Sequence, residues 1–181
     1  MESGWPRVEA VRGAASRFRS ALEHGGLSLP ILATFPAGSC GAVSGLLGQY
    51  LIDSGLGDWW YRMGSHRDSL ASHAWLEQGG LTLDITADQF SDVAEPVILT
   101  ARPAWHHANF IRSGGGHVAC LDWYESCDMF GAVAADYAIL KHRADSAGPG
   151  RARQRRGLGG RRSADAAGPA PERGRRPRGG R

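Results

Sequence analysis

The stretch HAWLEQGGLTLDIT, residues 73–86, reads as two strands folded back on a glycine turn. Apolar and polar residues alternate on both sides of Gly79-Gly80, and a Gly-Gly pair between such runs is a strong short-range hairpin signal. A two-residue turn sets Gln78 against Leu81 and brings Trp75 opposite Asp84. Side chains alternate along a strand with period two, so His73, Trp75 and Asp84 then share one face. His73 and Asp84 become diagonal neighbours, roughly 7–8 Å apart between backbones, within reach of an imidazole–carboxylate hydrogen bond. A three-residue turn would send them to opposite faces. The register is therefore a commitment. The plain alternative is a strand histidine with an aspartate that only caps the turn into Thr86.

Upstream, FPAGSCGAVSGLLGQYLIDSG (35–55) places Val43, Leu46, Leu47, Tyr50 and Leu51 at helical spacing, with Ser39 as N-cap and Cys40 at the first turn. Gly41, Gly45 and Gly48 each weaken helix propensity by roughly 1 kcal/mol. A central, closely packed helix tolerates them. A helix N-terminus lowers a thiol's pKa through its unpaired N–H groups and partial positive charge, and the same groups receive an oxyanion. A thiolate, a base beside it and a third group orienting that base make up thiol catalysis. Cys40, His73 and Asp84 are the candidates for those three roles. Trp75, Ser39 and Gln89 are the candidates for substrate contact. Gln89 sits between Asp88 and Phe90, a segment that reads equally as a surface turn. No second oxyanion donor stands out, with Ser39, Thr34, Trp59 and Trp60 as candidates.

Around this centre the expected elements are an amphipathic helix at 7–23, an extended approach at 27–35 broken by Pro30, and a strand at 59–63. A short strand at 96–100 and a terminal helix at 125–143 follow. His106-His107 reads as a solvated loop pair and Gly114-Gly115-Gly116 as a turn. Glu77, near the hairpin turn, is expected to be solvated. His117, Cys120 and Cys127 do not have zinc-ligand spacing. The reading calls for no metal and no cofactor.

Three short stretches resemble a known family. Gly38-Ser39-Cys40 at a helix start, His73-Ala74-Trp75-Leu76-Glu77 and Leu83-Asp84-Ile85-Thr86 look like the three motifs of the transglutaminase-like superfamily, in the same order and with the same short gap between the last two. The resemblance covers residues 35–90. Ile85 departs from it, since the family has proline there. The resemblance implies an α+β, papain-like fold, with a central helix carrying the cysteine packed on a small antiparallel sheet. It implies Cys40 as nucleophile, His73 as general base and acid, and Asp84 as orienter. It also implies chemistry on a peptide or protein amide, by hydrolysis or acyl transfer. The alternative is an inactive member of the same fold that holds a peptide in an aromatic groove of Trp59, Trp60, Trp75 and Trp105.

Composition sets the outer limits. Of 181 residues, 42% are hydrophobic and 22% charged, as in ordinary globular proteins. The net +3 averages two unlike segments. Residues 1–145 carry 10 Lys/Arg against 16 Asp/Glu, net −6, and 146–181 carry 11 Arg against 2 acids, net +9. The expected domain is 1–145. The 146–181 segment, with Leu158 its only large apolar residue, cannot bury a core and is expected to be disordered. Its arginines alone do not argue for nucleic acid, because aromatics for base stacking are missing. Such Arg/Gly/Pro/Ala text is also what GC-rich sequence yields when read as a non-native C-terminus. No stretch approaches the roughly 20 apolar residues of a membrane span, and the charged N-terminus has no signal-peptide core. Three cysteines without a disulfide framework favour a reducing compartment, hence a cytoplasmic location.

Overall fold

Gly79 and Gly80 take φ values of 56° and 81°, the left-handed pair that a tight type I′ hairpin turn requires. The hairpin closes in the expected register, with Gln78 opposite Leu81, Glu77 opposite Thr82 and Leu76 opposite Leu83. These geometries come from a computed structural model, which describes residues 5–148. All but the first three residues of the 146–181 tail lie outside the described residues.

The fold is α+β. In chain order it has α1 (Trp5–Glu23), α2 (Cys40–Asp53), β1 (Trp60–His66), β2 (Ser72–Gln78), β3 (Leu81–Asp84) and β4 (Ile98–Thr100). Then come α3 (Ala104–Asn109), β5 (Phe110–Arg112), β6 (His117–Val118) and α4 (Phe130–Ser146). The strands form one antiparallel sheet in the order β4-β3-β2-β1-β5, with β6 pairing the start of β1. Leu76 and Leu83 enter a core shared with Phe18 of α1, Leu46, Leu47 and Tyr50 of α2, and Leu140 of α4. Phe18 and Tyr50 stack at 5.1 Å. Among the described residues no helix is long and apolar enough to cross a membrane.

The glycines of α2 follow from what lies against the helix. A Cβ on Gly48 would stand 2.3 Å from the Ala119 side chain and carbonyl, and one on Gly45 would stand 2.7 Å from the Tyr124 hydroxyl. Both distances are below contact, so the lost propensity is the cost of bringing the chain after β6 directly onto the helix.

Several elements differ from expectation. The approach at 27–35 contains a short 3₁₀ turn, Pro30–Leu32, with Pro30 at its first position, where a missing N–H costs nothing. Asp136 of α4 explains its placement. Its buried carboxylate accepts the Ser28 N–H and hydroxyl at 2.9 Å and the Leu29 N–H at 2.8 Å. The last helix begins at Phe130, not 125, because a separate 3₁₀ turn, Leu121–Tyr124, precedes it. It ends at Ser146, three residues past the expected helix end at 143.

Candidate active site

Each of the three motifs supplies one side chain to a single buried cluster. His73 and Asp84 are 0% and 2% exposed, and His73 Nε2 lies 2.6 Å from Asp84 Oδ2. The other carboxylate oxygen, Oδ1, accepts the Thr86 N–H at 2.8 Å and the Thr86 hydroxyl at 3.0 Å. Asp84 therefore caps the turn into Thr86 and orients His73 at once. Phe90, Trp105 and Phe110 pack around the imidazole with ring centroids 5.2–6.1 Å away. This dry shell strengthens the imidazole–carboxylate bond.

Cys40 opens α2 and is half-buried. Burial alone would push its thiol up. The His73 imidazole outweighs that, and the Ala74 and Gly41 N–H groups beside the sulfur add to it, so the thiol is lowered from its ordinary value. For His73 burial disfavours the charge, but the bonds to Asp84 and Cys40 win and raise it to about 9. Burial would likewise raise Asp84. Hydrogen bonds from His106 and His73 overcome it and hold the carboxyl well below the usual range. Each of these directions favours the charged form of its group, the thiol, the imidazole and the carboxyl alike.

His106 is the residue that sequence reading missed. It was expected in a solvated loop with His107, yet it is 2% exposed, and its Nε2 lies 2.9 Å from the same Asp84 Oδ2. The six-residue α3 turns it inward and leaves His107 exposed. Its Nδ1 is buried with no partner among the described residues. No spacing signal marks it, since six residues are too few to show a helical period.

The candidates for substrate contact sit behind the reacting groups. Trp75 is 3% exposed, donates its indole N–H to Glu77 at 3.0 Å and packs on His106 at 5.1 Å. Ser39 is fully buried and does not cap α2 with its side chain. Its hydroxyl donates to the Pro36 carbonyl at 2.9 Å. Both are supports rather than contact surfaces. Gln89 is half-buried and links two motifs. Its Oε1 accepts the Gly38 N–H at 3.2 Å, and its Nε2 faces His73 Nδ1 at 3.2 Å and the Thr86 carbonyl at 2.9 Å. Glu77, expected in solvent, pairs with Arg62 at 3.1 Å and Arg112 at 2.9 Å.

Of the proposed oxyanion donors, Ser39 and Thr34 are engaged elsewhere, whereas the buried Trp59 indole N–H has no partner among the described residues. The Thr34 hydroxyl donates to the Ala37 carbonyl at 3.0 Å, and Trp59 is buried in the core. Trp60 is exposed beneath the Arg62 guanidinium. Trp59, Trp60, Trp75 and Trp105 thus do not line one groove. The nearest uncommitted hydroxyl is that of Tyr61, which has no hydrogen-bond partner among the described residues. A Cβ on Gly41 would stand 3.2 Å from it. Burial and then the Cys40 charge push this phenol up.

Among the described residues one cluster has ligand types close enough for an ion: His73, Asp84 and His106, with ligand atoms within 4.8 Å of one another. Two ligands on a tetrahedral ion at ~2.0–2.1 Å each stand about 3.3 Å apart. The His73–Asp84 contact of 2.6 Å is shorter, and it fits a shared proton better than a shared metal.

Comparison with known proteins finds no matching family model, no matching curated protein and no matching solved structure. The resemblance to the transglutaminase-like superfamily therefore rests on the three sequence motifs alone.

Proposed function

We propose that this chain is a thiol acyl-transfer enzyme of the transglutaminase-like, papain-like kind, acting on an amide or peptide bond. The observation that carries this reading is the buried imidazole of His73. A carboxylate holds it on one side, and it lowers the Cys40 thiol on the other. The Cys40 thiolate attacks the carbonyl carbon, forming a C–S bond while the carbonyl π pair moves to oxygen. The α2 N-terminus and the Tyr61 hydroxyl receive that oxyanion. Collapse re-forms the C=O and breaks the C–N bond, and the His73 imidazolium gives its proton to the departing amine. Water then attacks the thioester, losing a proton to His73, and the C–S bond breaks to release the acid and restore the thiol. Water is the acceptor because the thiol is only half-buried and so within reach of solvent. Three free cysteines, Cys40, Cys120 and Cys127, support a reducing compartment such as the cytoplasm.

The test is thiol reactivity. At pH 7 iodoacetamide modifies Cys40 faster than Cys120 or Cys127, as read by peptide mass spectrometry, and Cys40→Ser abolishes the fast phase. Equal rates at all three thiols would sink the proposal.

A further inference from the structure

Beside the Cys40 end of α2 the surface opens into a cleft of about 350 Å³, lined by Gly41, Gly45, Tyr61, Met63, Trp123 and Tyr124 among others. That is near the lower limit for ligand pockets, enough for one side chain or a short acyl chain. None of the lining residues carries a formal charge: burial lowers the pKa of the imidazole there, His117, and raises those of the Tyr61 and Tyr124 phenols, and each shift favours the neutral form. Trp123 and Met63 are 57% and 43% exposed, large apolar groups left in water at the rim. The floor exists because Gly41 and Gly45 lack side chains. A Cβ on either would run into the Tyr61 or Tyr124 hydroxyl.

Position assigns the cleft's role. Gly41 follows the nucleophile directly, and Tyr61, whose phenol feels the Cys40 charge, lines the same cleft. His73 and its shell of Phe90, Trp105 and Phe110 lie outside the lining. A leaving amine must depart past His73, which protonates it. The portion that stays on sulfur extends the other way.

We propose that this cleft is the acyl-side specificity pocket, and that it selects substrates whose acyl group carries an uncharged aromatic or aliphatic side chain. The inference rests on Cys40 being the nucleophile, and the experiment separates the two claims. Each methylene that enters an apolar pocket raises the acylation rate about fourfold. The probes are p-nitrophenyl acetate, p-nitrophenyl 3-phenylpropanoate and p-nitrophenyl succinate. With each, the thiolate bonds the ester carbonyl carbon and p-nitrophenolate leaves with the electron pair. Rates on the full chain are corrected with Cys40→Ser and divided by those of free cysteine.

The 3-phenylpropanoate should outpace acetate by about tenfold or more after that normalisation, and succinate should not. Trp123→Ala, on an exposed turn, should shrink the preference. Met63→Lys should shift it toward succinate. Trp123→Ala should leave iodoacetamide alkylation of Cys40 unchanged, because alkylation uses no acyl pocket, and Met63→Lys is read only as the ratio between esters, because a lysine cross-strand from Ala74 itself favours the thiolate. A normalised ratio equal to that of free cysteine overturns the proposal, and so does a preference that survives both variants. If Cys40 shows no fast phase even with iodoacetamide, the nucleophile assignment itself fails.

Discussion

His106 Nε2 stands 2.9 Å from Asp84 Oδ2, the oxygen that His73 holds at 2.6 Å, so two imidazoles from separate elements converge on one carboxylate oxygen. Asp84 is buried, and each bond it accepts offsets part of the cost of keeping its charge out of water. His106→Ala removes one of those bonds and opens a cavity. The expected loss is about 2–4 kcal/mol of unfolding free energy, together with slower alkylation of Cys40 because Asp84 is held less firmly. His106→Gln, whose amide can still donate, should recover part of both. A urea midpoint for His106→Ala equal to that of the unmodified chain would refute this.

The shared oxygen also shows where sequence reading stops. The hairpin was legible because period-two alternation and a glycine pair act locally, and those two facts place His73 and Asp84 on one face. Cys40 was legible because helical spacing begins just after it. The partners that finish the site come from elements with no period to detect: the six-residue α3, the three-residue β5 and the two-residue β6. Tyr61 was visible only as part of an aromatic strand. Its tie to Cys40 depends on Gly41 being bare, which is a packing fact. Ser39 had the right type for an N-cap, but the Pro36 carbonyl competes for its hydroxyl.

The charged pair sets a pH signature. His73 is raised from 6.5 to about 9. Its contribution to stability is fully present below 6.5 and is lost as pH rises through about 9. Cys40 is lowered from 9.0. Its contribution is fully present above 9.0 and is lost as pH falls through its folded value. Between the folded Cys40 value and pH 9 the two slopes oppose each other, so the unmodified chain should vary little in urea stability there. Cys40→Ser removes one of them and should uncover a decline toward pH 9. Parallel profiles for the two proteins would contradict the pairing.

Arg19 of α1 ties the loop after Asp84 to the helix layer. Its buried guanidinium donates to Asp88 at 2.9 and 2.7 Å, to the Ile85 carbonyl at 2.6 Å and to the Pro96 carbonyl at 3.0 Å. Asp88 is only half-buried and is stranded less than a fully buried partner, so Arg19→Ala should cost about 2–3 kcal/mol in urea unfolding. Arg19→Lys cannot form the fork and should restore less than half of that. A loss below about 1 kcal/mol would mean the contacts are those of a surface pair.

Gln89 should act as a brake on the thiolate. Its amide orientation is settled by its other partners, since Oε1 accepts the Gly38 N–H and Nε2 donates to the Thr86 carbonyl. An N–H therefore points at His73 Nδ1, 3.2 Å away. Because His73 Nε2 is taken by Asp84, Nδ1 is the nitrogen left to serve the sulfur. A donor aimed at it favours the unprotonated ring and so disfavours the thiolate–imidazolium pair. Gln89→Ala should raise the iodoacetamide rate of Cys40 at pH 7 by about two- to fivefold, the equivalent of one hydrogen bond. Gln89→Glu places an acceptor and a charge there and should raise it further. If both variants react more slowly than the unmodified chain, Gln89 positions the Gly38 loop and does not restrain the imidazole.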